Sequence, residues 1–293
     1  MTTIAVIGLG VMGLPMAGNL VKAGHDVIGF NRSPDKVERL VALGGKGALS
    51  VRDAVGRADH VITVLPDSAD VHAVATSPGG LFDSATPVTL WMDASTIRPD
   101  IAVALSTEAR ARGLRPLDTP VSGGEQGAID ATLSIMAGGE EDDFEAAREI
   151  LSSLGTTVIH VGANGSGQTV KAANQLIVGG TIQLVAEALV FLKAHDVDPG
   201  RAIPALAGGL AGSAVLNRKA ETMSGGLFSP GFRVDLHHKD MGIVVAAARE
   251  AGVVIPVGAL VAQFFAALRA QGHGSLDHSA LMLLVEQLSG RPS

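Results

Sequence analysis

The sequence predicts an α/β domain with a doubly wound, mostly parallel sheet, followed by an all-α domain built on a long interdomain helix. Three observations carry this. Short apolar runs alternate with amphipathic stretches through about residue 160, the alternation ends after Gly162, and one unbroken helical stretch then runs from Ser166 to His195. A chain of 293 residues is long for one typical domain and short for three, so the boundary is set at 1–163 and 164–293.

Ile4–Ile7, Val27–Phe30, His60–Leu65, Thr89–Asp93, Arg115–Asp118, Ser134–Met136 and Thr157–His160 read as strands. They are mostly short, rich in β-branched residues or Leu, and closed by Gly, Pro or Asp. Met12–Ala23, Pro34–Leu43, Val51–Ala58, Pro99–Arg112 and Glu141–Leu154 read as the helices between them. In Ser166–His195 the apolar positions Ile177, Leu184, Ala188 and Leu192 recur at helical spacing, giving a rod of roughly 45 Å. Leu176, Val178, Val185 and Leu189 lie off that stripe, so the helix is apolar over much of its circumference, as a bundle member is. Helices are also expected at Arg201–Gly209, Ser213–Met223, Asp235–Ala251, Ile255–Gln271 and Ser279–Ser289.

Hydrophobic residues make up 47% of the chain but aromatics only 3%, so the core must be built from Ala, Val, Leu and Ile. A formal charge of −7 argues against nucleic acid or an anionic membrane surface as the main partner. There is no cysteine, which excludes a disulfide framework, a thiolate metal site and a Cys nucleophile, and fits a cytoplasmic protein. The N-terminus runs almost directly into a strand without a basic segment or cleavage site, so no signal peptide is expected. Gly, Pro or charge interrupts each apolar run before the length of about 18 residues needed to span a bilayer, so the chain is expected to be soluble.

Gly8, Gly10 and Gly13 stand in the G-x-G-x-x-G spacing, after a strand and at the start of a helix. That context gives the pattern its meaning as a dinucleotide-binding turn of a Rossmann domain. The first Gly permits the tight turn, the second lets backbone approach a pyrophosphate at the helix N-terminus, and the third lets helix and strand pack closely. Gly8, Leu9, Gly10, Val11, Met12 and Gly13 are therefore candidate cofactor contacts. After the second strand comes Asn31-Arg32-Ser33. Asn31 occupies the place where an acid would bind the ribose 2′-hydroxyl of NAD, and Arg32 suits the 2′-phosphate of NADP. NADP is favoured over NAD on that ground. Thr96 and the Leu65–Pro66 turn follow apolar strands, on the edge where doubly wound sheets bind ligands.

The chain resembles the β-hydroxyacid dehydrogenases over essentially its whole length. The stretch from Gly8 to Leu20 is similar to that family's cofactor signature, and Asp118-Thr-Pro-Val-Ser-Gly-Gly124 to its substrate-binding segment. Gly165 to Gln175 is similar to its catalytic segment, and Phe232 with His237-His-Lys-Asp240 to its second-domain contacts. Gln175, the Leu236–Asp240 segment and Leu276-Asp-His-Ser-Ala280 look most like the tartronate semialdehyde reductase branch. One position departs from the pattern: Ala131 stands before Thr132-Leu133 where the family usually has Gly.

The resemblance implies reversible hydride transfer between NAD(P)H and a short semialdehyde or hydroxyacid. It makes Lys171 the general acid/base, needed because hydride reduction of a carbonyl leaves an alkoxide. Gly165-Ser-Gly167 before it allows close approach, and Asn174 and Gln175 follow at i+3 and i+4 on the same helix face. Ser122, Gly123 and Gly124 suit a substrate carboxylate, and Asn174, Gln175, Phe232 and Asp240 are the other expected substrate contacts. Lys239 is an expected cofactor contact. His237 and His238 point about 100° apart on a helix and are not read as metal ligands, so no metal is expected. His278 reads as a capping or interface residue. The apolar second half predicts a homodimer or homotetramer. A non-catalytic dinucleotide-binding scaffold is the alternative from another class.

Overall fold

The computed structural model describes residues 2–291. Packing divides the chain into two compact units between Lys171 and Ala172, later than the boundary of 163/164 read from the sequence. The reason is local. The backbone N–H groups of Gly165 and Gln168 donate to the carboxylate of Asp118, so the start of the long helix packs with the sheet.

The first unit runs β1 (Thr3–Ile7), α1 (Gly13–Lys22), β2 (Asp26–Phe30), α2 (Pro34–Ala42), β3 (Lys46–Gly47), α3 (Val51–Val55), β4 (His60–Thr63), α4 (Ser68–Thr76) and α5 (Leu81–Ser84). It continues β5 (Leu90–Asp93), α6 (Pro99–Ala111), β6 (Arg115–Asp118), β7 (Val121–Ser122), α7 (Gly124–Ile129), β8 (Leu133–Gly138), α8 (Glu141–Ser152) and β9 (Gly155–Gly162). The strands form one sheet in the order β3-β2-β1-β4-β5-β6-β8-β7, with β9 pairing β8. All neighbours are parallel except β8, which runs antiparallel to β6 and β7. Strand order reverses between β1 and β4, so the loops leaving those two strands open the crevice where such sheets bind ligands.

Both faces of the sheet are covered. Ile4 and Val6 of β1 enter one apolar cluster, while Ala5 and Ile7 enter another. A strand buried on both faces has no polar alternation to show, which is why each reads as a plain apolar run. The sequence reading misses β3, β7, α4, α5 and α7. Four of these are too short to display a period, and α4 buries only Val71 and Ala75.

The second unit is helical. It contains most of α9 (Ser166–Ala194), then α10 (Pro199–Ala207), α11 (Ala214–Ser224), α12 (Val234–Glu250), α13 (Pro256–Ala270), a 3-10 turn (His278–Ala280) and α14 (Leu281–Leu288). Its core is built around Ile182, Val185, Ala186, Leu189 and Val190 of α9, with Phe265 and Leu281 from later elements. The stripe that revealed the helix faces outward instead: Ile177 is 67% exposed and Leu184 62%. A helix apolar all round offers two faces of similar hydropathy, and spacing cannot say which one turns inward. A related expectation is corrected. Interrupting residues do not keep α9 below spanning length, since an 18-residue window of it has a mean hydropathy of 1.7, with 44% of the window buried inside the protein.

Candidate active site

The glycine turn is shaped by what a side chain would strike. Gly8 has φ +100°, and a Cβ there would sit 2.3 Å from the Val64 carbonyl oxygen. A Cβ on Gly13 would stand 1.9 Å from the carbonyl oxygen of Gly8. Gly10 differs, because its Cβ would meet nothing within 4 Å. The turn is thus closed at its first and third glycines and open at the second. The N-cap residue of α1, Met12, has no side-chain hydrogen bond to the helix, leaving that N-terminus suited to an anion. This is a cradle that fits a pyrophosphate.

Asn31 braces the turn from the end of β2. Its side-chain oxygen accepts from the backbone N–H of Leu9 at 3.0 Å, and its amide nitrogen donates to the Ser33 carbonyl at 3.3 Å. The side chain of Arg32 is 83% exposed, with its guanidinium 3.8 Å from Asp70. Ser33 occupies the N-cap position of α2.

The loops leaving β4, β5 and β6 continue along the same sheet edge. Leu65 N–H donates to the Ser95 hydroxyl at 2.9 Å, tying the Leu65–Pro66 turn to the loop that bears Thr96. Gln168, on the first turn of α9, brackets Thr96. Its side chain accepts from Ile97 N–H at 3.0 Å and donates to the Ser95 carbonyl at 2.8 Å. Asp118, at the end of β6, accepts from Gly165 N–H at 2.7 Å and Gln168 N–H at 2.9 Å, capping α9. Gly167 lets that turn press close, since its Cβ would lie 2.4 Å from the Met136 carbonyl oxygen. Burial pushes the Asp118 carboxyl up to about 6, against its two amide hydrogen bonds and with the help of the nearby Asp93 charge.

Lys171 follows on the next part of α9 and is only 6% exposed. It is therefore a sequestered lysine and not the solvated surface residue that its type would suggest. Ser122 ends β7, and Gly123 and Gly124 follow with φ of +145° and +68°. No Cβ at Gly124 would meet another atom within 4 Å, so this turn too is open to a ligand. Ala131, just beyond it, holds φ +54°, the left-handed region that explains why glycine is usual there.

In the helical unit the remaining candidates form a hydrogen-bonded group. The buried side chain of Gln175 donates to Asp240 Oδ2 at 2.6 Å and accepts from Asn174 at 2.9 Å. The Lys239 ammonium lies 2.9 Å from Asp240 Oδ1. Phe232 packs edge-on against His237 and His278. Beneath it, buried Asp277 accepts from Lys219 with both oxygens at 2.9 Å, and also from the N–H groups of Gly231 and Phe232 and the hydroxyl of Ser279. Burial alone would raise this carboxyl, but the neighbouring His278, the Ser279 hydroxyl and the Lys219 ammonium hold it well below the usual carboxylate range. Phe232 is thereby fixed through its backbone.

Sequence reasoning gave no role to Asp118, Gln168, Asp277 or Lys219. Asp118 leaves a faint signal, an acid at a strand end before Thr-Pro. The others resemble ordinary polar residues.

A Rossmann sheet with an open glycine turn, joined to a helical unit through a helix bearing a buried lysine, defines an NAD(P)-dependent dehydrogenase. Residues 3–162 match the NAD-binding domain of 6-phosphogluconate dehydrogenase, and residues 165–285 match the NAD-binding domain of NADP-dependent 3-hydroxyisobutyrate dehydrogenase. The chain is 36% identical over 286 residues to 2-hydroxy-3-oxopropionate reductase of Escherichia coli, covering 98% of each chain. It is 35% identical to the NAD-dependent L-serine dehydrogenase of Pseudomonas aeruginosa, covering 99% of this chain and 100% of that one. The structure of Mycobacterium tuberculosis 3-hydroxyisobutyrate dehydrogenase with L-serine superposes with a TM-score of 0.87 at 35% identity, covering 96% of this chain and 98% of that one. The chain belongs to the β-hydroxyacid dehydrogenase family, in its 3-hydroxyisobutyrate dehydrogenase-like group.

Proposed function

We propose that this enzyme reduces a short semialdehyde acid to a hydroxyacid, tartronate semialdehyde to glycerate, with Lys171 as the general acid/base. The observation that carries the reading of the lysine is its burial at the start of α9, beside residues held by Asp118 and Gln168. NAD(P)H, when bound at the glycine turn, would supply the hydride for carbonyl reduction. The Lys171 ammonium gives its proton to the oxygen that becomes the hydroxyl, and takes it back in the oxidative direction. Gly8, Leu9, Gly10, Val11, Met12 and Gly13 hold the pyrophosphate, with Leu65, Pro66, Thr96 and Lys239 as further cofactor contacts. Ser122, Gly123 and Gly124 take the substrate carboxylate, and Asn174, Gln175, Phe232 and Asp240 are the other proposed substrate contacts.

The choice of tartronate semialdehyde is supported by the similarity to 2-hydroxy-3-oxopropionate reductase and by the segments around His237 and His278. Oxidation of L-serine or 3-hydroxyisobutyrate is the second reading, favoured by relatives of nearly equal identity. NADP is the proposed cofactor, on the exposure of Arg32 and the lack of an acid at Asn31. The test is one assay of NADPH and NADH consumption over a panel of short semialdehydes, with serine and 3-hydroxyisobutyrate run in the oxidative direction. Fastest turnover with tartronate semialdehyde and NADPH is expected, and a clear preference for serine or for NADH would overturn the corresponding half.

A homodimer or homotetramer is part of the same proposal. Val170, Ile177, Leu184 and Phe191, seven residues apart, expose an apolar line along α9 that a second copy would cover. Light scattering giving a monomer mass would refute it.

A further inference from the structure

Two buried imidazoles in the helical unit lead from the turn that follows Asp277 to the backbone of the lysine helix, and the proposed chemistry uses neither. His237 lies on α12 and is fully enclosed, and His278 opens the 3-10 turn. Their Nδ1 atoms are 2.9 Å apart. Nε2 of His237 is 3.3 Å from the carbonyl oxygen of Gln175. Gly179, one turn further along α9, makes the room: a Cβ there would crowd that Nε2 at 3.2 Å. Phe232 stands edge-on to both rings, and Phe265 covers His237 at a centroid distance of 4.4 Å.

The partners fix the protons. A carbonyl oxygen only accepts, so His237 carries a hydrogen on Nε2. With its single ring hydrogen on Nε2, the His237 imidazole has a lone pair on Nδ1 and accepts there, so His278 donates from its own Nδ1. The other nitrogen of His278 is 3.9 Å from Asp277 Oδ1, too far for a hydrogen bond. Burial, with His237 and Lys219 alongside, holds His278 neutral against the pull of Asp277. Asp277 itself is anchored by Lys219, Ser279 and the backbone of Gly231 and Phe232. Every donor in the chain from His278 to Gln175 therefore points one way.

We propose that His278, acting through His237, is a positioning residue that fixes the Gln175 turn of α9. Gln175 is one helical turn beyond Lys171, and its side chain carries the bonds to Asn174 and Asp240. A carbonyl inside a helix already serves the amide four residues on, so the His237 N–H adds a second, sideways bond that resists rotation of this turn. The proposal rests on the reading of Lys171 as proton donor, since the turn that is held adjoins the lysine's own.

Two measurements on the full chain test it. Long-range proton–nitrogen NMR of the imidazoles should give His237 as the Nε2–H tautomer and His278 as the Nδ1–H tautomer; the reverse pattern overturns the proposal. In kinetics with the best substrate of the panel, His278→Asn places an amide N–H where Nδ1–H stood and should keep kcat within about threefold. His278→Leu keeps the bulk without the donor and should lower kcat about tenfold at unchanged cofactor affinity. Equal losses in the two variants, or losses that follow melting temperature and not the donor, reject positioning. Lys171→Ala separates the underlying reading: near-normal turnover there defeats the lysine assignment, whatever the histidine variants do.

Discussion

The two units hold their candidate groups by different means. In the sheet unit the work is done by backbone: a turn closed at Gly8 and Gly13 and left open at Gly10, strand ends that align Leu65, Thr96 and Asp118, and amides that donate to one carboxylate. In the helical unit it is done by side chains, with Gln175 and Asp240 bonded to partly buried Lys239 in one group and Asp277, His278 and His237 with partly buried Lys219 in another. Backbone control tolerates change at the surface and fails abruptly when a Cβ intrudes. Side-chain control fails when one partner of a buried polar pair is removed.

The largest effect is expected where the sheet unit ends. Lys171→Ala should lower turnover by about 10²- to 10⁴-fold, measured by steady-state kinetics, with cofactor affinity by fluorescence titration nearly unchanged. In the helical unit, Lys219→Met leaves Asp277 buried without its cation and should cost about 3–5 kcal/mol in urea unfolding. A loss below about 1 kcal/mol would equate the pair with a surface ion pair and erase the contrast between the units.

Asp118 offers a pH test within the sheet unit. Its folded-state value of about 6 lies above the ordinary 3.8, so between those values the folded chain binds the proton that the unfolded chain releases. Its contribution to stability therefore increases as pH falls from 7 toward 4, by about 3 kcal/mol in full. Carbon-13 NMR of the carboxyl should show the midpoint, and Asp118→Asn should flatten this part of the stability profile. The glycines give a smaller paired effect. Gly13→Ala should destabilise the fold by about 1–3 kcal/mol, whereas Gly10→Ala should leave the melting temperature alone and weaken cofactor binding about tenfold. Smallest of all, Ala131→Gly should relieve the positive φ and stabilise by about 1 kcal/mol in denaturant titration.

The same contrast explains what could be read from the sequence. Backbone constraints leave a residue type behind, so Gly8, Gly10 and Gly13 announced the turn, and apolar runs announced the strands around it. Long periodic helices were legible for the same reason. The inward face of α9 was not, because Ile177 and Val185 are equally apolar and only packing distinguishes them. Lys171 was legible as a candidate through its motif, but its burial depends on how α9 is seated. Side-chain pairs were hidden altogether. His237 and His278 lie 41 positions apart and read singly as a helix residue and a capping residue, although they share one hydrogen bond.

Asn31 sets a rule for anyone who would redesign cofactor choice. Its oxygen is committed to Leu9 N–H and its nitrogen to the Ser33 carbonyl, so the residue proposed to face the ribose is also a strut of the glycine turn. An aspartate there keeps the acceptor and sets a second carboxylate oxygen against a carbonyl. On the proposed role of Asn31, selectivity and loop shape are one variable in this chain, and switching the nucleotide would require re-engineering both strand ends together.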